Sequence, residues 1–496
     1  MRSRARASTI TSPMSAIDVT ATAIDPAAAR RRWLALGVIG IAQLMVVLDL
    51  TVMNIALPSA QRALHFTTAD RQWVVTAYSL AFGSLLLAGG KLGDLIGRRT
   101  TFLVGLVGFA GVSAVGGAST NFATLVAARA CQGLFAAILV PSALALLITS
   151  FTDPKDRARA FGIFGAIATA GGAIGLLLGG ALTDYLSWRW TLYVNLAFAT
   201  VAFLGGILLL DRQTSHTKFQ LDVPGLLLAS GGLFSLVFGF SNAATHSWHT
   251  PLTWGFLAAG GVLLAAFAVW IGNASDPLLP PRILLDRNRA GANAAVFVAS
   301  LCLFATLFFL TFYIQRTLNY SPIKTGVAFL PISACLAVAA NLSTIVLMPR
   351  LGPRPVVTSG LLIASGAMAW LAQLGPHTSY GGGVLGPIVI AGLGLGMVVA
   401  PAINTGTFGV GPQDAGVASA TVSVSQQLGA SIGTSLLNTI FATAVASYIT
   451  THGSAATAGA QAHGYDTAFW WTCGIAGGGA IISALLLRPG PLVRRA

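Results

Sequence analysis

The sequence is poor in charge. Only 8% of its 496 residues are charged and none is glutamate, so all 14 acidic residues are aspartates. A soluble globular domain carries roughly 25% charged residues. This shortage excludes water as the main solvent of the chain.

Residue types that usually build metal or catalytic sites are also scarce. The four cysteines, at positions 131, 302, 335 and 473, lie in apolar runs without the spacing of a disulfide framework or a zinc site. The chain has no histidine–glutamate metal helix and no catalytic constellation. We therefore predict no catalytic residue, no metal and no cofactor, and we do not expect an enzyme.

Apolar residues dominate instead. They make up 55% of the chain, with a mean hydropathy of +0.78. A helix that crosses a bilayer needs about 20 mostly apolar residues, at a rise of about 1.5 Å each. Such runs predict an all-α integral membrane protein with fourteen transmembrane helices, at 33–57, 73–92, 100–118, 122–148, 158–183, 190–210, 222–242, 252–272, 291–314, 324–348, 355–374, 383–408, 414–445 and 467–487.

The basic residues predict the orientation. In this arrangement, 22 of the 28 lysines and arginines lie in loops on the side of the N-terminus, and five lie on the other side. The positive-inside rule then predicts that both termini lie in the cytoplasm. We expect the membrane to be the plasma membrane. The basic residues behind the net charge of +14 are distributed over short loops and do not form a groove for phosphates. This distribution argues against a nucleic-acid partner.

A weak internal repeat predicts the domain organisation. The stretch from Gly133 through Pro141 to Gly175 has a counterpart from Gly394 through Pro401 to Gly433. We expect two six-helix halves separated by two inserted helices. The predicted boundaries are a disordered cytoplasmic tail at 1–32, an N-terminal bundle at 33–210, inserted helices at 211–275, a C-terminal bundle at 276–488 and a short cytoplasmic tail at 489–496.

Two charges lie deep within predicted spans. Asp49 is in the first span and Arg129 is in the fourth, each roughly 12–14 Å from the outer helix end. An ionisable residue at this depth predicts a functional site, where Asp49 exchanges a proton and Arg129 pairs with it. The alternatives are a structural, hydrogen-bonded aspartate and an arginine that only satisfies backbone carbonyls of a neighbouring helix.

Glycine-rich segments mark two further candidates. The loop after the second span contains Gly90, Asp94, Gly97, Arg98 and Arg99, which predicts a latch between helices, or alternatively a simple topology signal. The fifth span carries a glycine face at positions 175, 179 and 180, which predicts close helix packing.

The motifs resemble the major facilitator superfamily, and within it the fourteen-helix drug:proton antiporters of the EmrB/QacA type. The resemblance covers residues 33–488. Residues 48–58 match the Leu-Asp-x-Thr-Val-x-Asn-x-Ala-Leu-Pro signature, 90–99 match the cytoplasmic loop signature apart from a glycine at 93, and 129–133 match Arg-x-x-Gln-Gly. The fifth-helix signature Gly-Pro-x-x-Gly-Gly lacks its proline here, at Leu176.

The resemblance implies a role for each matching position. Asp49 is the expected proton-coupling carboxylate, Arg129 its coupling partner, and Asp94 with Arg98 the conformational latch. The implied mechanism is alternating access, in which two halves rock about a central cavity. Candidate cavity residues are Asn54, Trp73, Tyr78, Gln132 and Gln427.

The leading functional prediction is proton-driven multidrug efflux. The expected partners are an amphipathic, often cationic small molecule, protons and the lipid bilayer, and the protein is expected to act as a monomer driven by the proton gradient. An alternative is a narrow exporter of one metabolite or antibiotic that provides self-resistance. A membrane receptor or scaffold that does not transport is a third possibility.

Overall fold

The structure is a computed structural model. It describes residues 26–491, apart from 68–69, 152, 212–221, 247, 249, 275–276, 278, 377, 411–414 and 454–456. Most of both predicted tails lies outside the described residues. The prediction of a disordered tail is wrong for residues 26–32, where the first helix has already begun, because alanine and arginine are strong helix formers.

The first eight helices follow one another along the chain. They are α1 (Pro26–Leu64), α2 (Trp73–Ile96), α3 (Arg98–Gly117), α4 (Phe122–Ser150), α5 (Pro154–Tyr185), α6 (Trp190–Leu209), α7 (Val223–His246) and α8 (Pro251–Asn273). A 3₁₀ turn at Asp70–Gln72 precedes α2. The Asn121 side chain caps α4 by accepting a hydrogen bond from the Thr124 N–H.

The remaining helices are more interrupted. They are α9 (Pro281–Leu284), α10 (Arg287–Phe312), α11 (Pro322–Ala328), α12 (Leu330–Leu342), α13 (Met348–Leu351), α14 (Pro353–Leu371), α15 (Leu385–Thr407), α16 (Ala415–His452) and α17 (Thr457–Leu486). Short π-helical segments at Tyr313–Thr317, Ser343–Leu347 and Tyr380–Val384 extend or join them. Helices α11 to α13 therefore form one continuous rod.

The number of spans differs from the prediction. Twelve helices of the described chain are long and apolar enough to cross a membrane, so the count of fourteen is not confirmed. The predicted spans 73–92 and 355–374 are helical, as α2 and α14, but neither is among the twelve. Helix α2 packs against α3, α4, α7 and α16, and α14 packs against α15 and α17.

Helix packing repeats along the chain. In the N-terminal half (α1–α6), α4 packs against α2 and α3, while α1 packs against α5 and α6. In the C-terminal half (α10–α17), α15 packs against α12 and α14, while α10 packs against α16 and α17. The two halves therefore use equivalent contacts.

One end of the bundle holds both ends of the described chain. An ion pair joins Arg31 to Asp211 at 2.8 Å, and the Arg488 N–H donates to the Asn288 side chain at 2.8 Å. We call the opposite end the distal end. There the C-terminal ends of α1 and α10 meet, where Arg316 donates to Gln61 at 2.7 Å.

The hairpin of α7 and α8 lies beside both halves. Helix α7 packs against α2 and α16. The Ser230 hydroxyl donates to the Ser84 carbonyl at 2.6 Å, and the Ser241 and Ser435 hydroxyls are 2.7 Å apart. The Gln72 side chain of the N-terminal half also donates to the Ser241 carbonyl at 3.2 Å. The hairpin thus bonds to both halves.

A glycine substitution tests the packing of α5 on α1. A β-carbon at Gly179 would lie 2.8 Å from the Val52 α-carbon, whereas one at Gly172 on the same helix would have nothing within 4 Å. We expect Gly179→Ala to lower the free energy of unfolding by about 1–3 kcal/mol through overpacking. Thermal unfolding in detergent measures this, with Gly172→Ala as the matched control. Equal melting temperatures for the two variants would contradict the packing argument.

Candidate functional site: a buried ion pair in the N-terminal half

The site is centred on two charges that adjoining helices bring together. Helix α1 carries Asp49 and helix α4 carries Arg129, and both residues are only 1% exposed. The Arg129 Nη1 atom donates to the Asp49 Oδ2 atom at 2.5 Å. Depth along the two predicted spans had suggested this meeting, and the structure places the residues in direct contact.

Two amides complete the contacts of the carboxylate. Gln132 on α4 donates its Nε2 to Asp49 Oδ1 at 3.1 Å, and Asn195 on α6 donates its Nδ2 to the same oxygen at 2.7 Å. Both amides are fully buried. Asp49 therefore accepts three hydrogen bonds, from one cationic and two neutral donors, which suits an ionised carboxylate in a dry environment.

Arg129 has partners besides Asp49. Its Nε donates to the Val74 carbonyl of α2 at 3.1 Å, and its Nη1 also donates to Gln132 Oε1 at 2.8 Å. The guanidinium carbon lies 4.5 Å from the centre of the Tyr78 ring, within the range of a cation–π contact. The two interpretations of Arg129 are thus both correct in geometry, because it pairs with the aspartate and also satisfies a backbone carbonyl.

The sequence analysis missed two members of the site. Ser113 on α3 accepts a hydrogen bond from Gln132 Nε2 at 2.7 Å, and Asn195 lies 3.4 Å from the same hydroxyl. A lone amide within the apolar run of α6 was a usable signal for Asn195, since intramembrane polar residues are rare. Ser113 gave no comparable signal because serine is common where membrane helices pack.

The candidate cavity residues divide into two groups. Tyr78 and Gln132 belong to the ion-pair site. Asn54 lies near it, five residues after Asp49 on α1, and donates to the Leu50 carbonyl at 3.0 Å. Trp73 lies away from it, with its ring 5.5 Å from the Phe238 ring of α7. Gln427 lies on α16, where its β-carbon faces Gly83 of α2.

The predicted latch lies between α2 and α3. Gly97 separates the helices with a φ of 93°, a value that favours glycine. Arg99 reaches the end of α6, where its Nη2 donates to the Ile207 carbonyl at 2.7 Å. Gly90 and Asp94 lie in α2, but the Asp94 side chain is outside the described part, as is any contact it makes. Arg98 begins α3.

The glycine face of α5 packs on both halves. A β-carbon at Gly175 would meet the hydroxyl oxygen of Thr51, two residues from Asp49 along the chain, at 1.9 Å. At Gly180 it would meet the Ile323 α-carbon of α11 at 2.6 Å. The missing proline therefore leaves this face able to pack closely against α1 and α11. Among the described residues, no cluster of histidine, cysteine and aspartate could hold a metal ion.

Removing one charge of the pair should destabilise the protein more than removing both. We expect Arg129→Met to cost about 3–5 kcal/mol, because it leaves a buried carboxylate without its cation. Adding Asp49→Asn to that variant should recover part of the loss. Thermal unfolding in detergent measures this, with exposed Arg62→Met as the control. Similar melting temperatures for the single and double variants would disprove a buried charge pair.

Known proteins share this architecture. The sequence profile of the Major Facilitator Superfamily matches residues 39–434. The chain is 46% identical to the puromycin resistance protein pur8 of Streptomyces alboniger, over 92% of each chain. It is 39% identical to the cephamycin export protein CmcT of Amycolatopsis lactamdurans, over 80% of this chain and 83% of that one.

Solved structures agree in fold. A bacterial homologue of the human lysosomal transporter Spinster, in an inward-facing and unoccupied conformation, superposes with a TM-score of 0.65 at 16% identity, over 92% of this chain and 97% of that one. An auto-inhibited peptide transporter of the POT family gives 0.66 at 16% identity, over 94% and 98%. This chain is a multi-pass membrane transporter that belongs to the major facilitator superfamily.

Proposed function

We propose that the protein exports an antibiotic-like small molecule of narrow chemical range, and so protects the cell that makes or meets it. The observation that carries this proposal is the 46% identity to a puromycin resistance protein along 92% of both chains. Relatives named for cephamycin export and for tetracenomycin C resistance and export support the same class of activity. Puromycin is accordingly the first cargo to test.

We further propose that protons drive this export through Asp49. Both carboxylate oxygens accept hydrogen bonds from N–H donors. A protonated carboxyl has an O–H that would face one of these donors, so at least one contact with Arg129, Gln132 or Asn195 must break. Binding a proton would therefore loosen the junction of α1, α4 and α6.

The site is suited to alternating access because it is closed in this conformation. Asp49 and Arg129 have almost no contact with solvent, so a proton can reach the carboxylate only after the helices move. Helix α1 also contacts the C-terminal half, where Gln315 donates to the Ile55 carbonyl at 3.0 Å. A change at Asp49 can thus reach the distal end along one helix.

Substitution of the carboxylate tests proton coupling. We expect Asp49→Asn to abolish gradient-driven export, at least tenfold in initial rate, because the amide keeps the shape but cannot exchange a proton. Uptake of labelled puromycin into inverted vesicles, or its efflux from loaded cells, with and without a proton gradient, measures this. Exposed Asp184 provides the matched control, Asp184→Asn. Gradient-dependent export by Asp49→Asn at the rate of the unsubstituted protein would rule out this coupling.

Broad multidrug efflux is the second candidate. The relatives are named for chemically unrelated compounds, among them puromycin, cephamycin, tetracenomycin C and lincomycin. The fold is therefore compatible with many cargoes, including amphipathic cations. A polar but uncharged α16, with Gln427 near α2, is also compatible with varied cargoes.

Resistance profiling separates the two candidates. We expect a sensitive host that expresses the protein to tolerate at least a fourfold higher concentration of one compound among puromycin, a cephamycin, tetracenomycin C, lincomycin and ethidium, since polar pocket groups discriminate between cargoes. The Asp49→Asn variant, matched for abundance in the membrane, is the control. Protection against several unrelated compounds would favour broad efflux, and protection against none would contradict export of this class.

The finer topology is part of the proposal. We propose that α2 and α14 also cross the plasma membrane, which makes fourteen spans and places both termini in the cytoplasm. Their packing between other helices supports this, as does the excess of basic residues in the loops at the end that holds the chain termini. We propose that one chain, acting as a monomer, suffices for transport.

A further inference from the structure

A second buried arginine has no part in the site described above. Arg71 lies in the 3₁₀ turn between α1 and α2, at the distal end of the N-terminal half. The residue is only 1% exposed. It is one of the five basic residues that the sequence places on the outer side, where a charge in a solvated loop would be largely exposed.

The surroundings of Arg71 are aromatic and come from the other half of the molecule. The guanidinium carbon lies 4.1 Å from the ring centre of Phe312, 4.9 Å from those of Phe308 and Phe441, and 6.0 Å from that of Phe309. Three of these rings are on α10 and one is on α16. We call these four rings the aromatic cage.

Polar contacts to Arg71 also cross between the halves. Its Nε donates to the Asn438 side chain of α16 at 3.2 Å, and the Tyr465 phenol of α17 interacts with the guanidinium electrostatically. Within the described residues, its Nη2 has no hydrogen-bond partner and no carboxylate forms an ion pair with it. Burial lowers the pKa of Arg71 to about 10, so the side chain stays a cation at neutral pH.

This contact belongs to a larger seal at the distal end. Gln315 and Arg316 reach across to α1, and Thr76 of α2 lies 3.1 Å from Ser435 of α16, oxygen to oxygen. Gly180 of α5 packs against Ile323 of α11. Among these contacts, only Arg71 inserts a full charge from one half into the interior of the other.

The chemistry of the cage suits a contact that must break and re-form. A cation over aromatic faces gains substantial energy when it is desolvated, and no anion is stranded in the interior when the cation withdraws. A buried ion pair would leave an uncompensated carboxylate behind at a much larger cost. An aromatic cage therefore allows a charged side chain to enter a dry interior reversibly.

We propose that the aromatic cage is a guanidinium-binding site that holds the distal end closed, with Arg71 as its tethered ligand. Opening of that end withdraws Arg71 from the cage, and closing returns it. The role concerns conformation, so it does not depend on which cargo is exported or on proton coupling at Asp49.

Distance measurements between the halves test the proposal directly. Spin labels on Ala63→Cys of α1 and Lys324→Cys of α11, both exposed positions, report the width of the distal end in nanodiscs. The four native cysteines are replaced by alanine in this chain. We expect Arg71→Met to raise the ratio of long to short distances by roughly tenfold, because the cation–π contacts are lost while volume is kept.

A matched control comes from another distal arginine. In the part of the chain that the structure describes, the bonds of Arg189 stay within the N-terminal half, to the carbonyls of Gly117 and Ser119, and its guanidinium lies over the Trp188 ring. Arg189→Met should therefore leave the distances unchanged. Phe312→Leu, which removes the nearest ring of the cage, should shift them in the same direction as Arg71→Met. An unchanged distribution in Arg71→Met would overturn the proposal.

Chemical rescue distinguishes a binding site from general packing. Arg71→Ala leaves the cage without its ligand, and millimolar guanidinium chloride should restore the short distances, whereas sodium chloride at the same concentration should not. Phe312→Leu added to this variant should weaken the rescue. If guanidinium fails to restore closure in Arg71→Ala, the cage does not recognise the cation and the proposal is wrong.

Discussion

The N-terminal half is organised around the need to keep one carboxylate out of water. An ionised aspartate in a low-dielectric interior is tolerated only when donors surround it. Asp49 has these donors from α4 and α6, and its partner Arg129 is held in turn by α2. Helices that are separate spans in the sequence are thus joined at one point, and the position of each is constrained by a single charge.

Helix α1 links the Asp49 site to the contact surface between the halves. The α5 glycines allow α1 to approach closely beside Asp49, and one turn further on they receive α11 of the other half. Arg71 then fixes the α1–α2 turn in the aromatic interior of the C-terminal half. Two buried arginines therefore hold the helices together in different ways. Arg129 pairs with an anion inside the N-terminal half, and Arg71 contacts aromatic rings between the halves.

Sequence reasoning was most successful where depth alone decides the outcome. Asp49 and Arg129 could be paired because both lie at similar distances from their helix ends, and α5 could be recognised by its glycines. Asn195 and Ser113 were missed because their role depends on which helices become neighbours. The burial of Arg71 among rings of the other half could not be predicted for the same reason. The fourteen spans were predicted from the length of apolar runs, and twelve helices of the described chain are long and apolar enough to cross a membrane.

The inserted hairpin changes how the bilayer meets the two halves. They touch along two seams, one between α2 and α16 and one between α5 and the α11–α12 rod. Helix α7 lies along the first seam and is bonded to both of its sides. Lipid would therefore meet α7 and not the contact between α2 and α16, so a molecule that entered from the membrane at this seam would have to pass α7 first.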